Sequence, residues 1–226
     1  MNRFPAVSDR QTLQILTGPE SRQVFMKIYD DILLTSGGNR QKSLLICSAN
    51  RGEGASTVAL GLAMAAAEVW NQPVLLIDGN FSHPQVCEAF GLPDIHGWGD
   101  LLAGGQDVKS VIQDTTIPHL QVMGAGAAPL NHISMLESPA FNHLLSSLAA
   151  AYPLIIIDGP SINGFPESVL YAAQVDRVLM VIKSGLTRVQ VVSAALARLA
   201  AGGRGQVDLV LNRRTFPIPP WIYQRL

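Results

Sequence analysis

The chain has 226 residues, of which 48% are hydrophobic and only 15% are Asp, Glu, Lys or Arg. This apolar fraction excludes disorder for the bulk of the chain. Two cysteines, Cys47 and Cys87, are too few for a disulfide scaffold, so we expect both to be reduced inside a cell. The net charge of −1 argues against a protein that coats nucleic acid, and we expect no nucleic-acid partner.

Hydrophobic patterning bears on the relation to membranes. The longest apolar runs, at 58–67 and 178–182, are shorter than the ~20 residues that a membrane-spanning helix needs. The first residues, MNRFPAVSDRQ, lack the hydrophobic segment of a signal peptide. We therefore expect a cytoplasmic protein without a transmembrane segment of its own, which reaches a membrane only through a partner.

Hydrophobic periodicity and turn residues predict the elements in chain order. Residues 1–22 are expected to form an N-terminal arm, and 23–34 an amphipathic helix that ends at Ser36-Gly37-Gly38. Further helices are predicted over 56–68, 135–150 and 189–201. Strands are predicted over 43–47, 73–77, 120–123, 154–157, 178–182 and 207–211.

The predicted strands are continuous apolar runs, which are typical of strands buried on both faces of a parallel sheet. Helices alternate with them, so we predict a doubly wound, mostly parallel α/β sheet with helices on both faces, over 23–213, followed by a tail over 214–226. Ligands of such folds bind beyond the carboxyl ends of the strands. The polar residues that follow the strands are 48–56, Asp78, Asn80, Asp158, Lys183, Asn212 and Arg213.

The first predicted strand leads into the Gly-rich segment CSANRGEGAST at 47–57, and a helix follows. This context is typical of a loop that binds phosphate through backbone N–H groups and a helix N-terminus. Ser56 and Thr57 fall where a Walker A motif has its Mg²⁺-binding hydroxyl, but Ala55 replaces the lysine and Ala49 the first glycine. By itself the segment is equally compatible with a strand-to-helix turn that binds no ligand.

Two carboxylates favour the nucleotide interpretation. Asp78 and Asp158 each follow a buried strand, where a single aspartate is often only a helix cap. Two of them around a Gly-rich turn suggest a Mg–nucleotide site, and Ser56, Asp78 and Asp158 are the predicted metal ligands.

At this point the chain resembles a known family. Its segments are similar to those of the cytoplasmic domain of bacterial tyrosine kinases (BY-kinases) that serve exopolysaccharide and capsule synthesis. These are P-loop proteins related to the septum-site and partition ATPases. The resemblance covers about 41–213 and includes FGLPDIHGWGDLLAGG at 90–105, LESPAF at 136–141, LIIIDGP at 154–160, KSGLT at 183–187 and LNR at 211–213.

This resemblance implies ATP or ADP and Mg²⁺ as ligands, and it implies Asp78 and Asp158 as the catalytic residues. In the family, the position of Asn212 contacts the adenine. The residues that the resemblance places at the nucleotide are Gly52, Glu53, Gly54, Ala55, Ser56, Thr57, Lys183, Asn212 and Arg213.

Departures from the family pattern bear on activity. Ala55 stands for the lysine that reaches the β- and γ-phosphates, and Asn80 and Ser82 stand for an acidic residue and an arginine of the Walker A′ motif. One preorganised donor contributes about 10²–10³ in rate, so losing the lysine predicts at least that loss and weaker nucleotide binding. Arg51 is the loop's own cation, but arginine replaces lysine poorly, and we favour a solvated residue there.

Two further departures concern subunit contacts and phosphorylation. Family members often carry arginines on a helix before the sheet, where this chain has Met26 and Tyr29. Active kinases of this type end in a tyrosine cluster, whereas the tail PIPPWIYQRL contains only Tyr223.

The sequence thus favours a degenerate kinase, or pseudokinase, that regulates or assembles exopolysaccharide or capsule export. The implied partner is an inner-membrane polysaccharide co-polymerase of the chain-length-determinant type, which would hold the protein peripherally at that membrane; a homo-oligomer is also open. The alternative is an active ATP-dependent tyrosine autokinase with a rearranged site. A third interpretation is a partition-type ATPase, but Asn50 and Ala55 do not supply the loop lysines that it needs.

Overall fold

A computed structural model describes residue 13 and residues 15–35, 42–203 and 207–213. The helices are α1 (Pro19–Thr35), α2 (Ala55–Trp70), α3 (Val86–Phe90), α4 (Trp98–Leu102), α5 (Val108–Val111), α6 (His132–Leu136), α7 (Pro139–Ala151), α8 (Glu167–Gln174) and α9 (Val189–Ala201). The strands are β1 (Ser43–Ser48), β2 (Val74–Asp78), β3 (Ile112–Asp114), β4 (Leu120–Met123), β5 (Leu154–Ser161), β6 (Arg177–Lys183) and β7 (Asp208–Asn212).

The seven described strands form one sheet in the order β3-β4-β2-β5-β1-β6-β7. All neighbouring strands are parallel except β3, which runs antiparallel to β4 at one edge. The strand order places β1 in the interior of the sheet between β5 and β6. This confirms the predicted doubly wound, mostly parallel sheet.

Hydrophobic cores lie on both faces of the sheet. Along β1, Leu44 and Ile46 join the core beneath α1 and α2, whereas Leu45 and Cys47 join the core beneath α7, α8 and α9. Successive side chains of a strand point to opposite faces, so a strand covered on both faces needs apolar residues at every position. This is the physical reason for the continuous apolar run at β1.

Helix α1 lies against α2 on one face of the sheet. The ring of Tyr29 is buried and meets Trp70 edge-on at a centroid distance of 4.5 Å. Phe25 packs directly over Gly61, where a Cβ atom would overlap its ring. The helix begins at Pro19 and Leu16 is already buried, so the last part of the predicted extended arm is helical or packed instead.

Other differences from the predictions are local. The helix predicted over 135–150 is two helices, α6 and α7, because Ser138 caps a new helix whose first residue is Pro139. The short elements α3, α4, α5, β3 and α8 were not predicted. Residues 1–12 of the arm, the Ser36-Gly37-Gly38 helix end and the 214–226 tail with Tyr223 lie outside the described residues.

Among the helices that the structure describes, none combines the length and apolar character needed to cross a bilayer.

Candidate functional site

The Gly-rich loop connects the end of β1 to the start of α2. Gly52 and Gly54 have φ angles of +83° and +99°, in the left-handed region that glycine adopts most readily. Ala55 follows as the first residue of α2, and the helix closes on the loop when Val58 N donates to Gly54 O at 3.1 Å. The N–H groups of the first turn of a helix lack intrahelical acceptors and attract anions. The conformation of the loop is therefore compatible with phosphate binding.

A set of hydrogen bonds, which we call the loop clamp, holds the loop through Glu53, Thr187 and Asn212. The Glu53 carboxylate is buried, and it accepts from Thr187 Oγ1 at 2.6 Å and from Asn50 N at 2.9 Å. Asn212 Nδ2 donates to the Glu53 carbonyl at 2.9 Å. These contacts tie the loop to the β6–α9 turn and to the end of β7.

The other side of the loop forms an open pocket, which we call the phosphate cleft. Residues from the loop and α2 line one part of it, and the segments after β2, β5 and β7 line the rest. Arg51, Arg213 and His83 are its basic residues, and no lysine lines it among the described residues. The full lining comprises Ser48, Arg51, Gly52, Gly54, Ala55, Ser56, Thr57, Asn80, His83, Gln85, Gly159, Pro160, Ser161 and Arg213.

The Asp78 carboxylate accepts hydrogen bonds from three backbone N–H groups around it. Its Oδ2 accepts from Gln85 N at 2.8 Å and from Val86 N at 2.9 Å, and its Oδ1 accepts from Asn80 N at 3.1 Å. Burial raises the pKa of this carboxyl from 3.8 to about 6, although the three backbone donors act in the opposite direction. Asp78 therefore shapes the turn after β2 and caps the start of α3.

Asp158 is the other predicted carboxylate, and it lies beside Asp78 in the register of β2 and β5. It is fully buried, its carboxylate accepts from the Ser56 hydroxyl, and its Oδ1 has no hydrogen-bond partner among the described residues. Burial is the larger cause that raises its pKa well above 3.8, and the negative charge of Asp78 adds to it. A cation or a cation-bound water would give Oδ1 a partner and would offset the cost of burying the negative charge.

The chemistry of these groups fits a nucleotide with Mg²⁺. Ser56 lines the phosphate cleft and contacts Asp158, so it joins the open pocket to the buried carboxylate. Mg²⁺ is usually held by one or two carboxylates together with substrate phosphates and water, which agrees with this small donor set. Within the described part of the chain, no group of three or more His, Cys, Asp or Glu residues forms a metal site independent of phosphate.

Comparisons with known proteins identify the family. Tyrosine-protein kinase YwqD of Bacillus subtilis (strain 168) is 31% identical over 199 residues, which cover 87% of this chain and 84% of YwqD. Tyrosine-protein kinase CpsD of Streptococcus agalactiae is 28% identical over 177 residues, which cover 78% of this chain and 77% of CpsD. The chain belongs to the bacterial tyrosine-protein kinases. No family model matches it.

Solved structures place the kinase fold on the same residues. The chimerical protein CapA2B2 superposes with a TM-score of 0.80 at 28% identity, covering 88% of this chain and 87% of that one. The kinase domain of VpsO gives a TM-score of 0.77 at 29% identity, covering 91% of this chain and 98% of that one. The Pyrococcus furiosus cell division ATPase MinD gives a TM-score of 0.64 at 21% identity, which shows a shared fold alone.

The structure distributes the predicted site residues of this tyrosine-kinase homologue over three places. Gly52, Gly54, Ala55, Ser56, Thr57 and Arg213 line the phosphate cleft, and Asp78 and Asp158 lie buried beneath it. Glu53 and Asn212 belong to the loop clamp. Lys183 lines a second cleft on another side of the loop, with Glu53, Thr187 and Arg188 among its neighbours.

Sequence reasoning missed two kinds of residue. Thr187 connects Lys183 N, which donates to its hydroxyl at 3.0 Å, to the Glu53 carboxylate, and no local pattern marks a partner 134 residues away. His83 lines the phosphate cleft beside Asn80, and it was not among the candidate site residues predicted from the sequence. A tertiary contact was needed to find either one.

Proposed function

We propose that this chain is a degenerate tyrosine kinase with little or no phosphoryl transfer, which acts through its contacts in the assembly or export of exopolysaccharide or capsule. The observation that supports this most is Ala55. It is the first residue of α2 and lines the phosphate cleft, where a Walker A lysine would reach the β- and γ-phosphates. A methyl group there supplies neither charge nor a hydrogen-bond donor for the transferred phosphate.

The turn after β2 supports the same proposal. Asn80 replaces the second acidic residue of the Walker A′ segment, and its side-chain oxygen accepts from His83 N at 3.3 Å. Asp78 accepts three backbone hydrogen bonds, whereas Asp158 has a carboxylate oxygen with no partner among the residues that the structure describes. A site with one available carboxylate and no loop lysine is poorly equipped to stabilise the charge of a transferring phosphoryl group.

For the tyrosines that the structure describes, which do not include Tyr223, accessibility argues against autophosphorylation. Tyr29 and Tyr171 are fully buried, and Tyr152 is 9% exposed. Tyr171 also accepts from Trp98 Nε1 at 3.1 Å and donates to the Gly79 carbonyl at 3.3 Å, so its hydroxyl is committed. None of these three offers an acceptor hydroxyl to a neighbouring subunit without local unfolding.

We infer that the partner is an inner-membrane polysaccharide co-polymerase of the chain-length-determinant type, which holds the protein at the membrane periphery. Tyrosine-protein kinase wzc of Salmonella typhi supports this, because the matched region is 25% identical and covers 75% of this chain but only 23% of wzc. A relative that carries its kinase region within a much longer chain is consistent with a partner that supplies the rest. Assembly into a homo-oligomer is compatible with the same arrangement.

An active ATP-dependent autokinase is the second candidate, and the two arginines that line the phosphate cleft favour it. A partition-type ATPase is third, because the likeness to MinD shows only the fold.

The decisive test is a phosphotyrosine assay on purified full-length protein with Mg-ATP, with Asp158→Ala as the site-disrupted control. We expect no phosphotyrosine signal above that of Asp158→Ala, with or without vesicles that contain the co-polymerase. Phosphotyrosine that forms in the wild type and disappears in Asp158→Ala would instead establish the autokinase.

A further inference from the structure

Among the described residues, two arginines and no lysine line the phosphate cleft. Arg51 belongs to the Gly-rich loop, and Arg213 follows β7. None of the ion pairs among the described residues involves either guanidinium. Two basic side chains in an open cleft without acidic partners suit an anionic ligand.

Arg213 is positioned by the loop clamp. Its backbone has a φ of +56°, a left-handed conformation that is unfavourable for a non-glycine residue. The conformation is fixed because Arg213 N donates to Asn212 Oδ1 at 2.8 Å, while Asn212 Nδ2 donates to the loop at Glu53 O at 2.9 Å. Backbone strain of this kind persists where the surroundings over-determine it, often beside ligands.

The Arg213 side chain also has an unmet hydrogen-bonding need. Its Nε is buried and has no acceptor among the described residues. A buried donor without an acceptor is destabilising, and a phosphate oxygen in the cleft is the kind of acceptor that would satisfy it.

Arg51 approaches the same cleft from the loop. The nearest carboxylate in the loop, Glu53, is buried and already accepts from Asn50 N and Thr187 Oγ1. The Arg51 side chain is therefore exposed at the rim, where it lines both the phosphate cleft and the second cleft.

We propose that Arg51 and Arg213 together bind the phosphate groups of a nucleoside di- or triphosphate, in place of the loop lysine. The proposal rests on the assignment of the cleft as a nucleotide site in the proposed function. Guanidinium groups bind phosphate bidentately and with firm geometry, so two of them supply the charge that binding needs. They belong to the loop and to the residue after β7 rather than to the first turn of α2, so the proposal concerns nucleotide binding and assigns them no role in phosphoryl transfer.

The test is calorimetric titration of full-length protein with Mg-ADP, comparing wild type with Arg51→Gln, Arg213→Gln and the double variant. Each single substitution is expected to weaken binding about tenfold or more, the usual effect of losing one charged hydrogen bond, and the double variant further. Arg188→Gln is the matched control, because Arg188 lines only the second cleft, and its affinity should stay within about twofold of wild type.

If the double variant binds ADP more weakly, adding Ala55→Lys tests whether the loss of positive charge is the cause. Restored ADP affinity would show that the arginines supplied charge for phosphate, because the lysine supplies it from a different element. Thermal unfolding of each variant without nucleotide checks that the fold is intact.

Three results would overturn the proposal: no ADP binding by the wild type at millimolar concentration, equal binding by the double variant and Arg188→Gln, or no recovery on adding the lysine. None of them would revive kinase activity, so the proposed function would stand. Conversely, a positive phosphotyrosine assay would overturn the proposed function and leave the arginine assignment to be judged by ADP binding alone.

Discussion

The two sides of the Gly-rich loop differ in how fully their polar groups are hydrogen-bonded. On the clamp side, the Glu53 carboxylate and carbonyl accept hydrogen bonds from Asn50, Thr187 and Asn212. On the cleft side, Ala55 presents a methyl group, and Asp158 has a buried carboxylate oxygen without a hydrogen-bond partner in the described part of the chain. The hydrogen bonds that shape the loop thus do not involve Ala55, the position where a Walker A lysine would stand.

The largest expected loss of stability comes from a substitution at Gly54, which contacts Asn212 of the loop clamp. A Cβ atom at this position would overlap the Asn212 amide, and its φ of +99° disfavours any other residue. Gly54→Ala should cost about 3 kcal/mol of unfolding free energy, since left-handed strain alone costs roughly 1–2 kcal/mol. Urea denaturation measures the loss.

Gly52→Ala is the matched control for that substitution. Its φ is +83°, but nothing lies within 4 Å of the added Cβ, so only the strain of roughly 1–2 kcal/mol should appear. Adding Asn212→Ala to Gly54→Ala should recover part of the excess loss. Equal losses for the two glycine variants would refute the close contact.

The carboxylate of the clamp comes next in size. Glu53→Ala leaves the Asn50 N–H and the Thr187 hydroxyl without their acceptor, and it should lower the unfolding free energy by about 2 kcal/mol. Glu53→Gln keeps an acceptor oxygen and should cost less. Hydrogen exchange at 50–54 and 183–187 should accelerate in Glu53→Ala, and unchanged exchange there would argue against a clamp.

The sequence predicted the elements that local patterns encode, but it did not predict the loop clamp. Helix 189–201 and strand 120–123 were predicted with their observed bounds, because long periodic or continuous apolar runs are local signals. The glycine-rich segment from Gly52 to Thr57 was also recognised from a local signal. The clamp depends on Glu53 meeting Thr187 and Asn212 across 134 and 159 residues, which no pattern along the chain encodes. The break between α6 and α7 had a local signal in Ser138-Pro139 that helical composition concealed.

On the cleft side, the buried carboxyl pair should give a smaller, pH-dependent effect. The pKa of Asp78 rises from 3.8 to about 6 on folding, and that of Asp158 rises as well, so the folded state binds more protons than the unfolded chain. The contribution of Asp78 to stability is therefore present below about pH 4 and is lost as the pH rises through about 6, and that of Asp158 is also lost as the pH rises.

Asp158→Asn removes one buried charge while keeping an acceptor for Ser56. Without nucleotide, it should raise the unfolding free energy by roughly 1 kcal/mol at pH 8 relative to wild type, and the gain should shrink toward pH 5. Urea titrations at pH 5, 6, 7 and 8 measure the difference. A gain that grew as the pH fell would contradict the assignment.

The smallest effect is expected at Lys183, which lines the second cleft. Lys183→Gln should change Mg-ADP affinity by less than about twofold, because this partly buried charge lies outside the phosphate cleft and is partly screened by solvent. A tenfold loss would show that this lysine reaches the phosphates, as the family resemblance implied.

The most direct test of the difference between the two sides of the loop is single-turnover ATP hydrolysis, with Mg²⁺, by wild type and Ala55→Lys. Because Ala55 lines the cleft, a lysine there can enter it from the first turn of α2. If the loop is intact and lacks only the lysine, the wild type should hydrolyse ATP no faster than Asp158→Ala. The rate should rise by about 10² or more in Ala55→Lys. Wild-type turnover as fast as that of Ala55→Lys, and abolished by Asp158→Ala, would contradict a silenced site.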